Sequence, residues 1–488
     1  MLASSRAVSA APASNPTSVS PLATHALAEP LPDLAFRGTL SPAAEFLLLG
    51  ARTRLEGARR ARWEKLLHAD AEGEGEGETE GAPLDWDEVL RLANTHRVLG
   101  LLGRHLSARS WKGVPAPIAA SIQHYFVKVT AHSNALKTEL ARVSHLLEAA
   151  GIAVVSFKGP TLGLMAYGNT VVRPSADLDL LVARDQVARA RALLERAGYT
   201  TEVAISAQQA QIALRVDSVI NFHRPAPTPL RNVLPQGYAV ELHWAITSPC
   251  LPFDLEFPTV APSLSWIELP GVPAQTITAD APGAGAPGAG GPGAGGAAAP
   301  ASWFAVRALA PEDLLLILLV HGAKHLWERL IWLCDLAELL AVSPDLDWPR
   351  VLEAAHQRGV QRMTALGLAL ARDVLGVSLP RPVEEWLSTQ PQALRLAAQL
   401  RRQLLARAPQ SAANQGNLAG HVAAADALLM QTIDTRLHRL GFLWHLATAP
   451  PLKERATLDL PQSLDFLWCV LRPARALQRR LSAKPRAG

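Results

Sequence analysis

Residues Gly151 to Tyr199 read GIAVVSFKGPTLGLMAYGNTVVRPSADLDLLVARDQVARARALLERAGY. The stretch opens with a β-branched apolar run, Ile152 to Phe157, that ends at Lys158-Gly159-Pro160. A helix-compatible segment follows, then a loop carrying Arg173, then Asp177-Leu178-Asp179 leading into Leu180-Leu181-Val182. Gln186 to Ala197 has amphipathic helical spacing, and Gly198 is placed to end it. The order is strand, helix, strand, helix, with two carboxylates at the mouth of the second strand.

Strand side chains alternate between faces, so Asp177 and Asp179 share one side while Leu178 and Leu180 take the other. At roughly 3.3 Å rise per residue, their Cα atoms stand about 6.5–7 Å apart, a spacing from which two carboxylates can share a hard cation such as Mg²⁺. Without a cation, like charges about 4 Å apart repel by roughly 4 kcal/mol at an effective dielectric near 20. Asp-x-Asp can equally do no more than close a loop. A third acid bears on that choice. Tyr238 to Trp244 alternates, placing Val240, Leu242 and Trp244 on one face and Glu241 and His243 on the other. Two acids on one strand and a third on a neighbour form the layout used for two-metal phosphoryl or nucleotidyl transfer.

The set Phe157-Lys158-Gly159, Tyr167-Gly168, Arg173, Asp177-Leu178-Asp179-Leu180-Leu181-Val182 and Glu241-Leu242-His243-Trp244 resembles the uncharacterised nucleotidyltransferase family, part of the DNA polymerase beta-like nucleotidyltransferase superfamily. Trp327, Arg329-Leu330, Trp332 and Asp335-Leu336 resemble it as well, so the likeness covers roughly residues 40 to 390. The resemblance implies an α+β fold: a mixed β-sheet core with helices, flanked by N- and C-terminal helical regions. It further implies transfer of a nucleotidyl group from a nucleoside triphosphate, with Mg²⁺ (or Mn²⁺) as cofactor and pyrophosphate as product. The acceptor, a small molecule or a sugar or peptide intermediate of a bacterial biosynthetic cluster, stays unnamed. Asp177 and Asp179 are expected to hold both metals. Glu241 completes the nucleophile-side site, with His243 in a secondary position.

The broader superfamily binds nucleotide phosphates with a Gly-Ser pair at a helix start, where this chain has Lys158-Gly159. Pro160 suits the first turn of a helix, and free N–H groups there favour an anion. Lys158 either adds a point charge to a triphosphate or lies exposed at the strand end. Arg173 either contacts phosphate or pairs with Asp177 or Asp179. Pro311-Glu312-Asp313 opens a strongly apolar helix that carries His321, Lys324 and His325. Those three either face the cleft and touch triphosphate or acceptor, or form a polar helix face packed on the core. The text His-Gly-Ala-Lys-His lacks the Glu of a zinc-protease helix.

Across 488 residues, 49% hydrophobic and 18% charged content fits a globular chain, and +4 net charge is too small to imply nucleic-acid binding. Cys250, Cys334 and Cys469 are widely spaced, without a metal-ligand pattern. With no secretory signal evident, a cytoplasmic location is expected. The apolar run Leu314 to Val320 is too short to span a bilayer.

The chain divides into a disordered arm (1–38), an N-terminal helical region (39–150) with an acidic loop (71–82), and the transferase core (151–262). A Gly/Pro/Ala-rich flexible insertion (263–302), a C-terminal helical region (303–410) and a helical tail with a basic end (411–488) complete it. Pattern is lost from Pro249 to about Ser302, and Gly283-x-Gly285-x-x-Gly288 matches a dinucleotide fingerprint by text only. Asp85 can cap a helix, with Glu88 at capping-box spacing. Helical spacing spans Pro42 to Leu67, Pro117 to Ala150, Trp348 to Gly359, Met363 to Leu375 and Val383 to Leu405, while Ala207 to Val216 is ambiguous. Two further readings stay open: a non-catalytic nucleotide- or partner-binding protein, and a toxin-like enzyme that modifies protein or tRNA.

Overall fold

Val154–Ser156 (β1) and Leu178–Val182 (β2) pair antiparallel at the centre of a seven-stranded mixed sheet. The computed structural model describes residues 40–68, 84–201, 206–247, 249, 251, 253, 255–273, 303–404, 427–448, 464, 467–472 and 474. The remaining strands are Thr200–Thr201 (β3), Val219–Arg224 (β4), Tyr238–His243 (β5), Ser265–Pro273 (β6) and Trp303–Ala308 (β7). Their order across the sheet is β3-β4-β5-β2-β1-β7-β6, with β2–β5 and β1–β7 parallel and the other pairs antiparallel.

Alternation sends Leu178, Leu180, Val182, Val240 and Leu242 to one face. There they pack under the helix Ala116–Ala149 through Leu136, Leu140, Val143 and Leu147, and under Val187–Arg196. The opposite face carries Val155, Phe157 and Leu181 into a larger core. That core joins the N-terminal helices Pro42–Leu49, Gly57–His68, Trp86–Thr95 and Leu99–Ala108 to the C-terminal helices Pro311–Lys324, Leu330–Val342 and Gln361–Leu375. The two helical regions flank the sheet in sequence but share one hydrophobic core in space. Arg52 ion-pairs with Glu338 at 2.8 Å, and Cys334 Sγ donates to Ala51 O at 3.2 Å.

Several expectations change. The segment from 249 to 302, which carries no legible pattern in sequence, contributes β6, and β7 follows directly. The sheet therefore extends through residues that the sequence reading assigned to an insertion and to a helical region. Pro and Gly within Ser265–Pro273 dilute the period-2 signal, whereas pairing with β7 supplies the backbone hydrogen bonds. The single helix expected from Val383 to Leu405 is two, Arg381–Ser388 and Pro391–Leu404, divided at Thr389-Gln390 before a proline that cannot continue a helix. The Pro42–Leu67 pattern likewise splits into two helices. The ambiguous stretch is the helix Ala207–Val216, fixed by a capping box between Ser206 and Gln209. Asp85 caps Trp86–Thr95 by accepting from Glu88 N–H, but the Glu88 side chain accepts from Ser41 Oγ rather than closing the box. The arm 1–38, the acidic loop, the Gly-rich text at 282–296, the break at 411–420 and the terminal arginines Arg475, Arg479 and Arg480 lie outside the described residues.

Candidate active site

The parallel register of β2 and β5 sets Asp179 directly beside Glu241, two positions before His243 on the same face. Asp179, Glu241 and His243 each offer a ligand atom within 4.8 Å of the other two. His243 Nε2 lies 3.3 Å from Glu241 Oε2 and 3.6 Å from Asp179 Oδ1. Neither ring nitrogen, both buried, makes a hydrogen bond of good geometry among the described residues. Phe157 meets the imidazole edge-on at 5.2 Å and closes the apolar side. Asp179 and His243 are buried, while Glu241 keeps a third of its side chain exposed.

Lys158 reaches into this group and donates to Asp179 Oδ1 at 3.0 Å. It is therefore not exposed at the strand end. Burial disfavours the ammonium, but Asp179, Glu241 and Asp177 outweigh it and raise its pKa. Burial likewise opposes ionisation of Asp179, yet Lys158 and His243 hold that carboxyl well below the usual range. His243 is raised in turn: desolvation works against the imidazolium, and the two carboxylates overcome it. Asp177, just before β2, shifts the other way, because burial and the charges of Asp179 and Glu241 all push it up. Asp179 is thus the anionic centre, and Asp177 stands at its entrance.

Gly159 begins the helix Gly159–Tyr167 at φ +55°, and a Cβ there would stand 2.8 Å from Asp177 O. Only glycine lets the helix start approach the Asp177 backbone so closely. Gly159 therefore sits against the strand entrance, where Asp177 emerges.

Arg173 pairs with neither Asp177 nor Asp179. Its guanidinium makes a two-point contact with Asp335, Nε to Oδ1 and Nη2 to Oδ2, each 2.9 Å, and Tyr167 Oη donates to the same carboxylate at 2.8 Å. Asp335 lies 162 positions away, on the helix Leu330–Val342, so no local pattern pairs it with Arg173. Asp335 thereby anchors the loop that leads to Asp177.

His321 is half-buried in the last turn of Pro311–Lys324. Burial, then Lys158 and His325, lower its pKa well below the ordinary value, so it stands neutral near Lys158 and Asp179. Lys324 and His325 are exposed. The His321 and His325 rings are 4.8 Å apart, and both lie against Trp332 at 5.5 and 5.1 Å. Of the three, His321 comes nearest the acidic group, while Lys324 and His325 form its solvent rim.

The donor set fits a divalent cation: two carboxylates that suit Mg²⁺ or Mn²⁺, and one imidazole beside both of them, which suits Mn²⁺ better. A family model described as an uncharacterised nucleotidyltransferase matches residues 82–280 and 294–376, more than half of the chain. No curated protein and no solved structure matches it.

Proposed function

This chain belongs to the uncharacterised nucleotidyltransferase family, and from that premise we propose a divalent-metal-dependent enzyme that moves a nucleotidyl group from a nucleoside triphosphate to an acceptor hydroxyl or phosphate. The observation that carries this reading is the register pairing of Asp179 with Glu241, which sets two carboxylates side by side in the sheet with His243 against both. Asp177, Asp179, Glu241 and His243 would hold the metal. When bound, the ion neutralises charge on the phosphates and acidifies the acceptor.

The chain's own groups do the positioning. Asp179 remains ionised because Lys158 and His243 favour the carboxylate. Glu241, more accessible than Asp179 and His243, takes the acceptor proton as the acceptor oxygen bonds to the α-phosphorus and the bond to the β-phosphate oxygen breaks. Pyrophosphate then leaves. Lys158 exchanges its bond to Asp179 for the phosphate chain beside Gly159, and neutral His321 donates from the facing helix.

One observation favours a second reading. Lys158 already neutralises Asp179, so a protein that has replaced its cation with an internal ammonium would look the same and bind nucleotide or a partner without turnover.

The test is pyrophosphate release with Mg²⁺ and with Mn²⁺, across four nucleoside triphosphates and a cell-extract acceptor pool. Asp179→Asn and Glu241→Gln should each lower release at least about a hundredfold, the scale of a lost transition-state charge contact. Release that persists in both variants would end the metal-transferase reading. Nucleotide binding without release in the wild type would select the second one.

A further inference from the structure

We infer that Arg97 and Arg329 form a cationic clamp at the mouth of the site that receives the terminal phosphates of the triphosphate, an inference that rests on the nucleotidyl-transfer reading. Neither residue belongs to the sheet. Arg97 closes the N-terminal helix Trp86–Thr95, and Arg329 precedes the C-terminal helix Leu330–Val342.

One junction brings them together. His96 Nδ1 accepts from Leu330 N–H at 3.2 Å, and His96 O accepts from Ile331 N–H at 3.2 Å. The turn after one helix therefore caps the start of the other, and the two arginines flank that cap. Arg97 is held at φ +57°, a conformation a side-chain-bearing residue keeps only where its surroundings impose it. The next helix, Leu99–Ala108, presses on the loop that leads to Asp177: a Cβ on Gly100 would stand 2.3 Å from Val172 O. Gly100 thereby seats the Arg97 turn beside the strand entrance.

The charges around Arg97 agree. Burial and then the positive charges of Arg329 and Arg173 act against its protonation, and Asp177 acts in favour. Arg97 is exposed and Arg329 half-buried, whereas the half-buried cations deeper in the site are committed, Lys158 to Asp179 and Arg173 to Asp335. Arg97 and Arg329 have no ion-pair partner among the described residues; Arg329 only lies over the Trp332 ring at 5.6 Å. Two like charges on either side of one helix junction, neither held in an ion pair among the described residues, repel one another until an anion joins them. Their planar donor forks match phosphate oxygens two at a time. Trp332, which also touches His321 and His325, links this clamp to the rim already described. The terminal phosphates, rather than a phosphate on the acceptor, suit it because two extra cations answer a chain of several charges.

The experiment is calorimetric titration of Mg²⁺-tripolyphosphate, and separately of orthophosphate, into the full-length wild type, Arg97→Asn, Arg329→Gln, Arg97→Lys, Arg329→Lys and Asp179→Asn. Asparagine is chosen at 97 because it tolerates the left-handed backbone. Each neutral variant should weaken tripolyphosphate binding about tenfold to a hundredfold, and the lysine variants should retain most of it. Binding within twofold of wild type in both neutral variants would overturn the clamp, and if Asp179→Asn still abolished pyrophosphate release the transferase reading would stand without it. Equal loss in lysine and neutral variants would assign the effect to a damaged turn, and would also overturn it. Orthophosphate bound as tightly as tripolyphosphate, and equally sensitive to the variants, would move the clamp to the acceptor's phosphate and overturn the assignment to terminal phosphates. Wild type that binds neither tripolyphosphate nor any nucleoside triphosphate would remove both.

Discussion

His96 shows how one buried side chain ties the stability of this protein to pH. Its Nδ1 accepts a backbone hydrogen bond, so the ring is neutral in the folded state with its proton on Nε2. Burial, then the charges of Arg91 and Arg329, lower its pKa to about 4, against about 6.5 in an unfolded chain. Above pH 6.5 neither state is protonated. Between pH 6.5 and 4 the unfolded chain binds a proton that the folded one refuses, so stability falls as pH falls, by roughly 3 kcal/mol at most. Below pH 4 the loss levels off. His96→Asn keeps an acceptor for Leu330 N–H and removes the titration. Urea midpoints measured from pH 7 to pH 4 should therefore decline less steeply in the variant than in wild type. Parallel declines would show that other groups carry the acid sensitivity. Arg173 and Asp335 follow a different rule. A buried guanidinium and carboxylate each cost several kcal/mol to desolvate, and their two-point contact offsets that cost only while both are present.

At the scale of elements, the turn after Pro311–Lys324 is the most constrained connection near the site. Leu326 and Trp327 both have positive φ, at 51° and 52°, and Trp327 N–H returns to Gly322 O at 2.9 Å. The Trp327 ring is seated between two glycines: a Cβ on Gly322 would stand 2.4 Å from it, and one on Gly367 would stand 2.6 Å away. The strained turn places Arg329 at the start of Leu330–Val342, so its geometry feeds the site. Gly322→Ala should overpack this seat and lower stability by about 1–3 kcal/mol. Thermal melting gives the loss, and a red-shifted tryptophan emission would report the displaced ring. An unchanged melting temperature with unchanged emission would show that the seat has room to spare.

For the molecule as a whole, the helix Leu330–Val342 joins the parts. Its Glu338 accepts from Arg52 and from Thr53, its Cys334 donates to Ala51 O, its start is capped by His96, and its Asp335 holds Tyr167 and Arg173. N-terminal helices, core loop and C-terminal helices therefore meet on one element, which couples them for unfolding as a unit. Residues 274–302 run between β6 and β7 in sequence. Pro273 pairs with Trp303 across the two strands, so the ends of the intervening chain are already neighbours. Replacing residues 274–302 with a short Asn-Gly turn should preserve the fold and raise stability by up to about 2 kcal/mol through the smaller loop-closure entropy. Circular dichroism and melting would test it. A clear loss of stability would mean that the removed segment packs on the sheet.

Local physics made much of this legible. Alternation put Asp179 on the side opposite Leu178 and Leu180, and Glu241 with His243 on the side opposite Val240 and Leu242, because successive strand side chains must point to opposite sides. The Asp85 cap and the helix opening at Pro311 were equally readable, since caps and proline act within a turn of their own position. Splits at residues 50–56 and 389–390 were not, because helical spacing continues across a break that packing imposes. β6 was hidden for the converse reason: its residues scarcely alternate, and pairing with β7 makes them a strand. The partner of a charge was beyond reach as well. Arg173 finds Asp335 from 162 positions away, and Arg97 comes near Arg329 only because His96, after one helix, caps the start of another. By itself the sequence determined which residues share a face, and membership of the family. Tertiary structure alone decided which faces and charges meet, because periodicity is set within a few residues and electrostatic pairing by whichever elements the core brings together.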